Sequence, residues 1–438
     1  MMHGRLPTIL RAHTVASLTF AIAATSSAQG PPCDVFCHSR AAQRAEAAGN
    51  LREFESRIRA VAVLAPSLPG VVYQMARVFA KKGQPDSAIT WLRRLGTMGD
   101  TRDPNADSVF TRMRTRPGYA DARNRLLSNR LPILDGKVSF EISDPDFIPE
   151  AIVYDSTRGR LLAGSLSHRV IAALVPDEDP VTFVSAPEML RVVGIHIDHR
   201  RKRLWFATWA PDSARVSRPA EAPSRTRLFL ADLETGRVVR SWTPNGGRPG
   251  HLLNDFVIVD DGTLYITDTE QGDIYRLRSP DDTLEMFVAT DHGRFTVANG
   301  ITSTPDGQTL YVAFLEGIAR VDVATRAITW MAAPDSVSTA SIDGLYWYRG
   351  SLVAVQGIPT LQRVVRYELS ADGTQVTSGA VLERGPGIVE QPTTGVFVGS
   401  KFYYIANSQY GRMPDRGGPP APHKGKPVRT AVRVIDLR

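Results

Sequence analysis

The spacing of apolar positions divides the chain into two textures. Over residues 39–128 apolar side chains return every three or four positions among many Ala and Arg, the period of helices with one buried stripe. From about residue 136 the pattern becomes short Val/Ile/Leu/Tyr runs broken by Gly, Asp and Pro, which predicts strands and tight turns. The segment LLSNRLPILDG at 126–136 separates the two and reads as a linker. Ahead of both lies one apolar run, Thr14 to Ala24, preceded by Arg5 and Arg11 and followed by TSSAQ. The run is too short to span a bilayer, and Ser26 and Ala28 suit cleavage after Ala28, so residues 1–28 read as a secretory leader. No later segment is long and apolar enough for a membrane helix, so a periplasmic or secreted protein without membrane insertion is expected.

Each texture repeats. In the helical region, AEAAGNLREFESRIRAVAVLAPSLP aligns with ARVFAKKGQPDSAITWLRRLGTMGD, and Gly49 and Gly83 stand 34 residues apart in expected helix-to-helix turns. A helix–turn–helix period of this length resembles a tetratricopeptide repeat, and Tyr73, Ala76, Ala80 and Ala88 fit its mixture of small and large packing positions. Two repeats and a divergent third helix pair at roughly 104–128 are expected within residues 29–130. Such an array implies a concave face for a protein partner; the alternative is that the helices cap the neighbouring domain.

In the strand region NDFVIVDDGTLYITDT (254–269), NGITSTPDGQTLYVAF (299–314) and DGLYWYRGSLVAVQ (343–356) align at spacings of 45 and 44, the length of a four-stranded propeller blade. Weaker copies begin at Pro149, Val193 and Thr394, which makes six blades. The last lacks a strand, and KVSFEIS (137–143) is placed to supply it and close the ring without open edges. The expected fold is therefore an all-β six-bladed propeller over 137–438, preceded by an α-helical region. Insertions at 210–226 and 411–429, rich in Pro, Gly and Arg, are expected to be loops over one face.

Composition narrows the function. The chain carries +7, or about +5 without Arg5 and Arg11, but its basic residues are scattered. HRRKR at 199–203 reads as a solvated hairpin tip, and no aromatic residues interleave with it, which argues against nucleic-acid binding. The two cysteines, Cys33 and Cys37, follow the leader; a local disulfide and free thiols both remain open, and a zinc site lacks further ligands. There is no G-x-S-x-G elbow and no P-loop.

The candidate chemistry lies at the blade entrances. The innermost strand of each blade runs along the ring axis, so residues some 45 positions apart converge there. Those residues are Glu150, Asn254, Asn299 and Asp343, all with side-chain oxygen and none with sulfur or imidazole. Asn and Asp also form turns, but the hairpin turns Asp261-Gly262 and Asp306-Gly307 are separate from these positions. A set of carboxylate and amide oxygens suits a hard divalent cation, Ca²⁺ foremost, with Mg²⁺, Mn²⁺ and Zn²⁺ as alternatives.

The motifs PEAIVYD, LLNDF, ANGITSTPDGQTLYVA and SIDGLYWY resemble the SMP-30/gluconolactonase/LRE-like family of six-bladed propellers over about 140–438. The resemblance implies Glu150, Asn299 and Asp343 as metal ligands, Asn254 as a contact to substrate or bound water, and a lactonase acting on a small lactone or ester. In that mechanism the cation polarises the carbonyl and Asp343 is the candidate general base. Two departures matter. Leu252 stands where the sugar-lactonase members carry a substrate-holding Arg, with Arg248 and His251 nearby but out of register, which points to a more apolar substrate. The related paraoxonases place a catalytic His where this chain has Val193, with His196 further along the same strand. A non-catalytic ligand-binding or scaffold propeller is the alternative function.

Overall fold

The computed structural model describes residues 33–438 except 177, 211–224, 245–249, 292, 358–360 and 415–418. The expected leader, most of the 210–226 insertion and Arg248 lie outside the described residues.

Four helices form two hairpins: α1 (Val35–Ala47) with α2 (Leu51–Leu64), and α3 (Pro69–Lys81) with α4 (Pro85–Thr97). Gly49 and Gly83 end α1 and α3 at φ of 70° and 69°, the left-handed conformation that glycine adopts without a Cβ clash. The third pair departs from the expected helix hairpin. Its first half is two 3₁₀ turns, Pro104–Ala106 and Ser108–Met113, before α5 (Tyr119–Ser128). Asp103 and Asp107 accept hydrogen bonds from the N–H groups two residues on, which compete with helix propagation. A disulfide joins Cys33 to Cys37 across the start of α1. No helix among the described residues is long and apolar enough to cross a membrane.

The rest of the chain is six antiparallel sheets, the blades of the expected propeller. The innermost strands are Pro149–Asp155, Arg191–Asp198, Leu253–Ile258, Ile301–Ser303, Ile342–Tyr348 and Gly395–Val398. Apolar clusters fill the space between successive blades; Tyr265 and Phe287 of blade three, for example, share a cluster with Leu310 and Val312 of blade four. HRRKR is the tip between two strands of blade two, where Arg200 and Arg201 reach the Asp260 carbonyl of blade three.

Blade six closes the ring. Its outermost strand, Gly136–Glu141, pairs with the last strand of the chain, Ala431–Asp436. The closure is fastened by a buried ionic cluster. Arg433 donates from Nη2 to Glu383 Oε1 at 2.7 Å and from Nε to Oε2 at 3.0 Å, and Nη2 also donates to the Gly136 carbonyl. Tyr404 donates to the same carboxylate, and so does the Gly136 N–H at 2.9 Å. The linker is more ordered than expected. Ile133–Leu134 pairs with Glu383 and Arg384 and adds a fifth strand to blade five.

The helices dock on blades four and five. Leu315 packs against the cluster of Val35, Val61, Ala65 and Val71. Ser67, between α2 and α3, donates to the Glu316 carbonyl at 3.0 Å and accepts from Ser338 Oγ at its own carbonyl at 2.8 Å.

Neighbouring inner strands approach very closely at glycines. A Cβ on Gly300 would lie 2.5 Å from the Asp343 carbonyl oxygen, and one on Gly194 would lie 2.1 Å from that of Asn254. Gly300→Ala should therefore push blades four and five apart and destabilise by about 1–3 kcal/mol in urea unfolding. Glu383→Ala, which leaves the Arg433 guanidinium buried and unpaired, should cost about 3–5 kcal/mol by the same measurement.

Candidate metal centre

The six entrance positions are Glu150, Val193, Asn254, Asn299, Asp343 and Thr394, one from each blade. Three of the four predicted oxygen donors form a hydrogen-bonded chain. Asn254 Nδ2 donates to Asn299 Oδ1 at 3.1 Å, and Asn299 Nδ2 donates to Asp343 Oδ1 at 2.8 Å. Asn254 Nδ2 also donates to Thr269 Oγ1 at 2.9 Å, and Thr269 Oγ1 donates to the Ala298 carbonyl at 2.6 Å. The amide N–H groups thus point along the chain toward the carboxylate.

Local backbone sets these side chains. Two residues before Asn299, Val297 has φ of 54°, and two residues before Asp343, Ser341 has φ of 57°. A left-handed residue other than glycine is strained, β-branched Val297 more than Ser341, and is held only where the surroundings over-determine it. The Asn299 N–H then donates to the Ala313 carbonyl at 2.8 Å, and the Ala313 N–H returns a bond to Gly300.

Glu150 completes the set by charge. Asp343 is 3% exposed and Asn299 is 8% exposed, while Glu150 is partly buried. Glu150 Oε2 and Asp343 Oδ2 are both inaccessible to solvent and without a hydrogen-bond donor among the described residues. Burial, and then the charge of Asp343, hold Glu150 well above the usual carboxylate range. Burial also pushes Asp343 up to about 7, with the Asn299 amide opposing and Asp255 adding to the rise. A divalent cation fits this arrangement: two orphaned carboxylate oxygens supply charge, and neighbouring amide oxygens keep lone pairs for coordination.

Other residues at the axis lay outside the predicted set. Asp255 accepts from His196 Nε2 at 2.9 Å across blades two and three, and the imidazole lies 4.6 Å from the Phe256 ring centroid. Tyr346 accepts from the Gly395 N–H at 2.7 Å. His196, Asp255 and Tyr346, with Ile152, Thr394 and Phe397, line a cavity of about 140 Å³. Val193, at the position of the paraoxonase His, is buried in the cluster between blades two and three. His251 shares a hydrogen bond with Asp268 at 2.5 Å and packs edge-on against Tyr275, which engages it within blade three.

The start of the 411–429 insertion is anchored beside blades one and two. Tyr410 precedes it and packs with Met413, Leu252 and Trp209 on the blade two–three cluster. Burial, with the charges of Asp343 and Glu150, raises the Tyr410 phenol above its ordinary range. Arg412 anchors the loop through the Pro145 carbonyl at 3.0 Å and the Asp146 carboxylate at 2.6 Å, and the Arg191 guanidinium donates to the Pro414 carbonyl at 2.9 Å. Leu252 is thus part of an apolar wall.

No family model and no curated protein matches the chain. Among solved structures, the chain is similar to a gluconolactonase from Xanthomonas campestris at 17% identity and TM-score 0.45, over 70% of this chain and 91% of that one. It is similar to a luciferin-regenerating enzyme at 13% identity and TM-score 0.46, over 70% and 95% of the two chains. It is also similar to virginiamycin B lyase from Staphylococcus aureus at 15% identity and TM-score 0.44, over 62% and 82%. These distant likenesses assign no residue roles here.

The carboxylate pair makes stability depend on pH. Without a cation the folded chain holds protons that the unfolded chain releases, between the ordinary Asp value of 3.8 and about 7. Stability contributed by the pair is therefore present below that window and lost as pH rises through it. In chelator the melting temperature should fall over this range, and Asp343→Asn should flatten the fall. Added Ca²⁺ should raise the melting temperature most above pH 7.

Proposed function

We propose that the chain is a divalent-cation-dependent hydrolase that opens a small lactone or ester. The observation that carries this reading is the pair of buried, donor-free oxygens on Glu150 and Asp343, beside the amides of Asn299 and Asn254. Glu150, Asn299 and Asp343 would hold the cation, with Ca²⁺ favoured by the all-oxygen donor set. When bound, a cation of this kind polarises a carbonyl and stabilises developing negative charge on its oxygen.

The residues of the chain do the remaining work. Asn299 engages Asp343 Oδ1 and so orients the carboxylate, which would take the proton of the attacking water and pass it to the departing oxygen as the acyl C–O bond breaks. Asn299 fixes the carboxylate plane and Glu150 balances charge. Asn254 is held through Thr269, so its side-chain oxygen can orient substrate or water. Leu252, with Trp209 and Tyr410 partly buried on the same apolar cluster, stands where a sugar lactonase would need a polar group, which favours a more apolar lactone or ester over a sugar lactone.

A periplasmic or extracellular location is part of this reading, and the leader pattern of residues 1–28 is what supports it. The Cys33–Cys37 disulfide supports that placement, because disulfides persist in oxidising compartments. The helical repeats, whose partner would be another protein, are separate from the proposed chemistry. The alternative function, a ligand-binding scaffold, differs in expecting cation binding without turnover.

A panel of lactones and aryl esters assayed with and without chelator tests the proposal. Hydrolysis should require the cation, and Asp343→Ala should lower kcat by about 10²–10⁴-fold, the usual contribution of a positioned base. Asn299→Ala should weaken cation affinity as well as turnover. A folded, cation-loaded protein that turns over no lactone or ester would sink the hydrolase reading and leave the scaffold.

A further inference from the structure

A second polar cavity lies away from the ring axis, where the helices meet the outer strands of blade five. It has a volume of about 310 Å³ and is lined by Arg125 and Asn129 at the end of α5 and by Arg363, Tyr367 and Arg384 of blade five. An adjoining cavity of about 300 Å³ shares Asn129, Arg363 and Arg384.

The three arginines are the unusual feature. Arg363 is 6% exposed. Its Nε donates to Gln356 Oε1 at 2.6 Å and its Nη1 to the Met98 carbonyl at 3.0 Å, both neutral acceptors. Arg384 donates to the Leu131 carbonyl at 3.2 Å and to Asn129 Oδ1 at 3.3 Å, again neutral. Among the described residues none of the three guanidinium groups forms an ion pair with a carboxylate. The nearby Asp100 is already taken by Arg102, which grips both its oxygens at 3.1 and 2.7 Å. Glu390 lines the adjoining cavity and accepts from the Gly387 N–H.

A buried charge without an ion pair is costly, and Arg363 is the buried member of the three; Arg384 is half-buried and Arg125 is exposed at the rim. Burial is the main cause holding Arg363 and Arg384 below the ordinary arginine range; for Arg363, Tyr367 and the charge of Asp100 oppose it while Arg384 adds to it, and for Arg384 the charge of Arg125 adds to it. The two hydrogen bonds of Arg363 explain why a long donor tethers the helices to blade five. They do not explain why three positive charges converge on a polar cavity. An anion does. Guanidinium groups present paired N–H donors matched to oxyanions, and several cations around one cavity favour a dianion over a monoanion. The volume exceeds that of a bare oxyanion and leaves room for a small organic group.

We propose that this junction cavity binds a phosphate-bearing small molecule, with the phosphoryl oxygens held by Arg363, Arg384 and Arg125. The site is independent of the hydrolase reading, since it uses the outer strands of blade five and none of the entrance residues.

Titrating inorganic phosphate into the full chain at constant ionic strength, with chloride as the balancing salt, tests this by calorimetry and by melting temperature. Saturable one-to-one binding is expected in the native chain. Arg384→Gln should weaken it at least tenfold and Arg125→Gln by a smaller factor, while both variants keep native circular dichroism and any lactone or ester turnover. Arg363→Gln is less informative alone, because its removal also cuts the tether to Met98. Three results would overturn the proposal: no saturable phosphate binding, an equal response to chloride, or binding that survives both substitutions but is lost in Asp343→Ala.

Discussion

Two interacting carboxylates, each with one buried oxygen that no donor satisfies, set the terms for the whole molecule. Glu150 comes from the first blade and Asp343 from the fifth, and each has an oxygen that nothing in the described protein satisfies. In isolation such a pair would move apart or take up water. Here both are carried on inner strands of one ring, which keeps them from moving apart. The Asn254–Asn299–Asp343 chain fixes one side, and glycines at the inner strands let adjacent blades close to backbone contact. The strain at Val297 and Ser341 belongs to the same account, since both precede entrance residues by two positions. Closure of the ring supplies the rigidity that holds these costs in place.

The blade period and the entrance residues were legible because they obey one rule: an inner strand occupies the same place in every blade. A spacing of 44–45 therefore brought Asn254, Asn299 and Asp343 together before any coordinates. The glycine after Asn299 was less legible. It reads as half of a turn dipeptide, whereas its space is taken by the backbone at Asp343 and Gly344. That contact lies between blades, where sequence periodicity has no signal. The same limit hid the His196–Asp255 pair, whose members are 59 residues apart and belong to different blades. Local competition explains the other departures. Asp103 and Asp107 convert an expected helix into 3₁₀ turns, and two residues of the linker find a free sheet edge at Glu383 and Arg384.

Blade five gathers much of what joins the parts. Its inner strand carries Asp343, its third strand carries Arg363, and its outer edge receives the linker. Glu383, on its fourth strand, neutralises Arg433 from the last strand of the chain. The helical region thus rests on the same sheet that presents one of the axial carboxylates.

The closing sheet also has a consequence in time. The Gly136 carbonyl waits for a guanidinium 297 residues further along the chain. Blades one to five can each form hairpins as they emerge, but the ring has no last wall until the final strand arrives. Until then the edge of Gly136–Glu141 has no partner strand. The cluster around Glu383 then acts as a latch that engages when Ala431–Asp436 pairs, so the residues at the axis are fixed in place only once that strand has closed the ring.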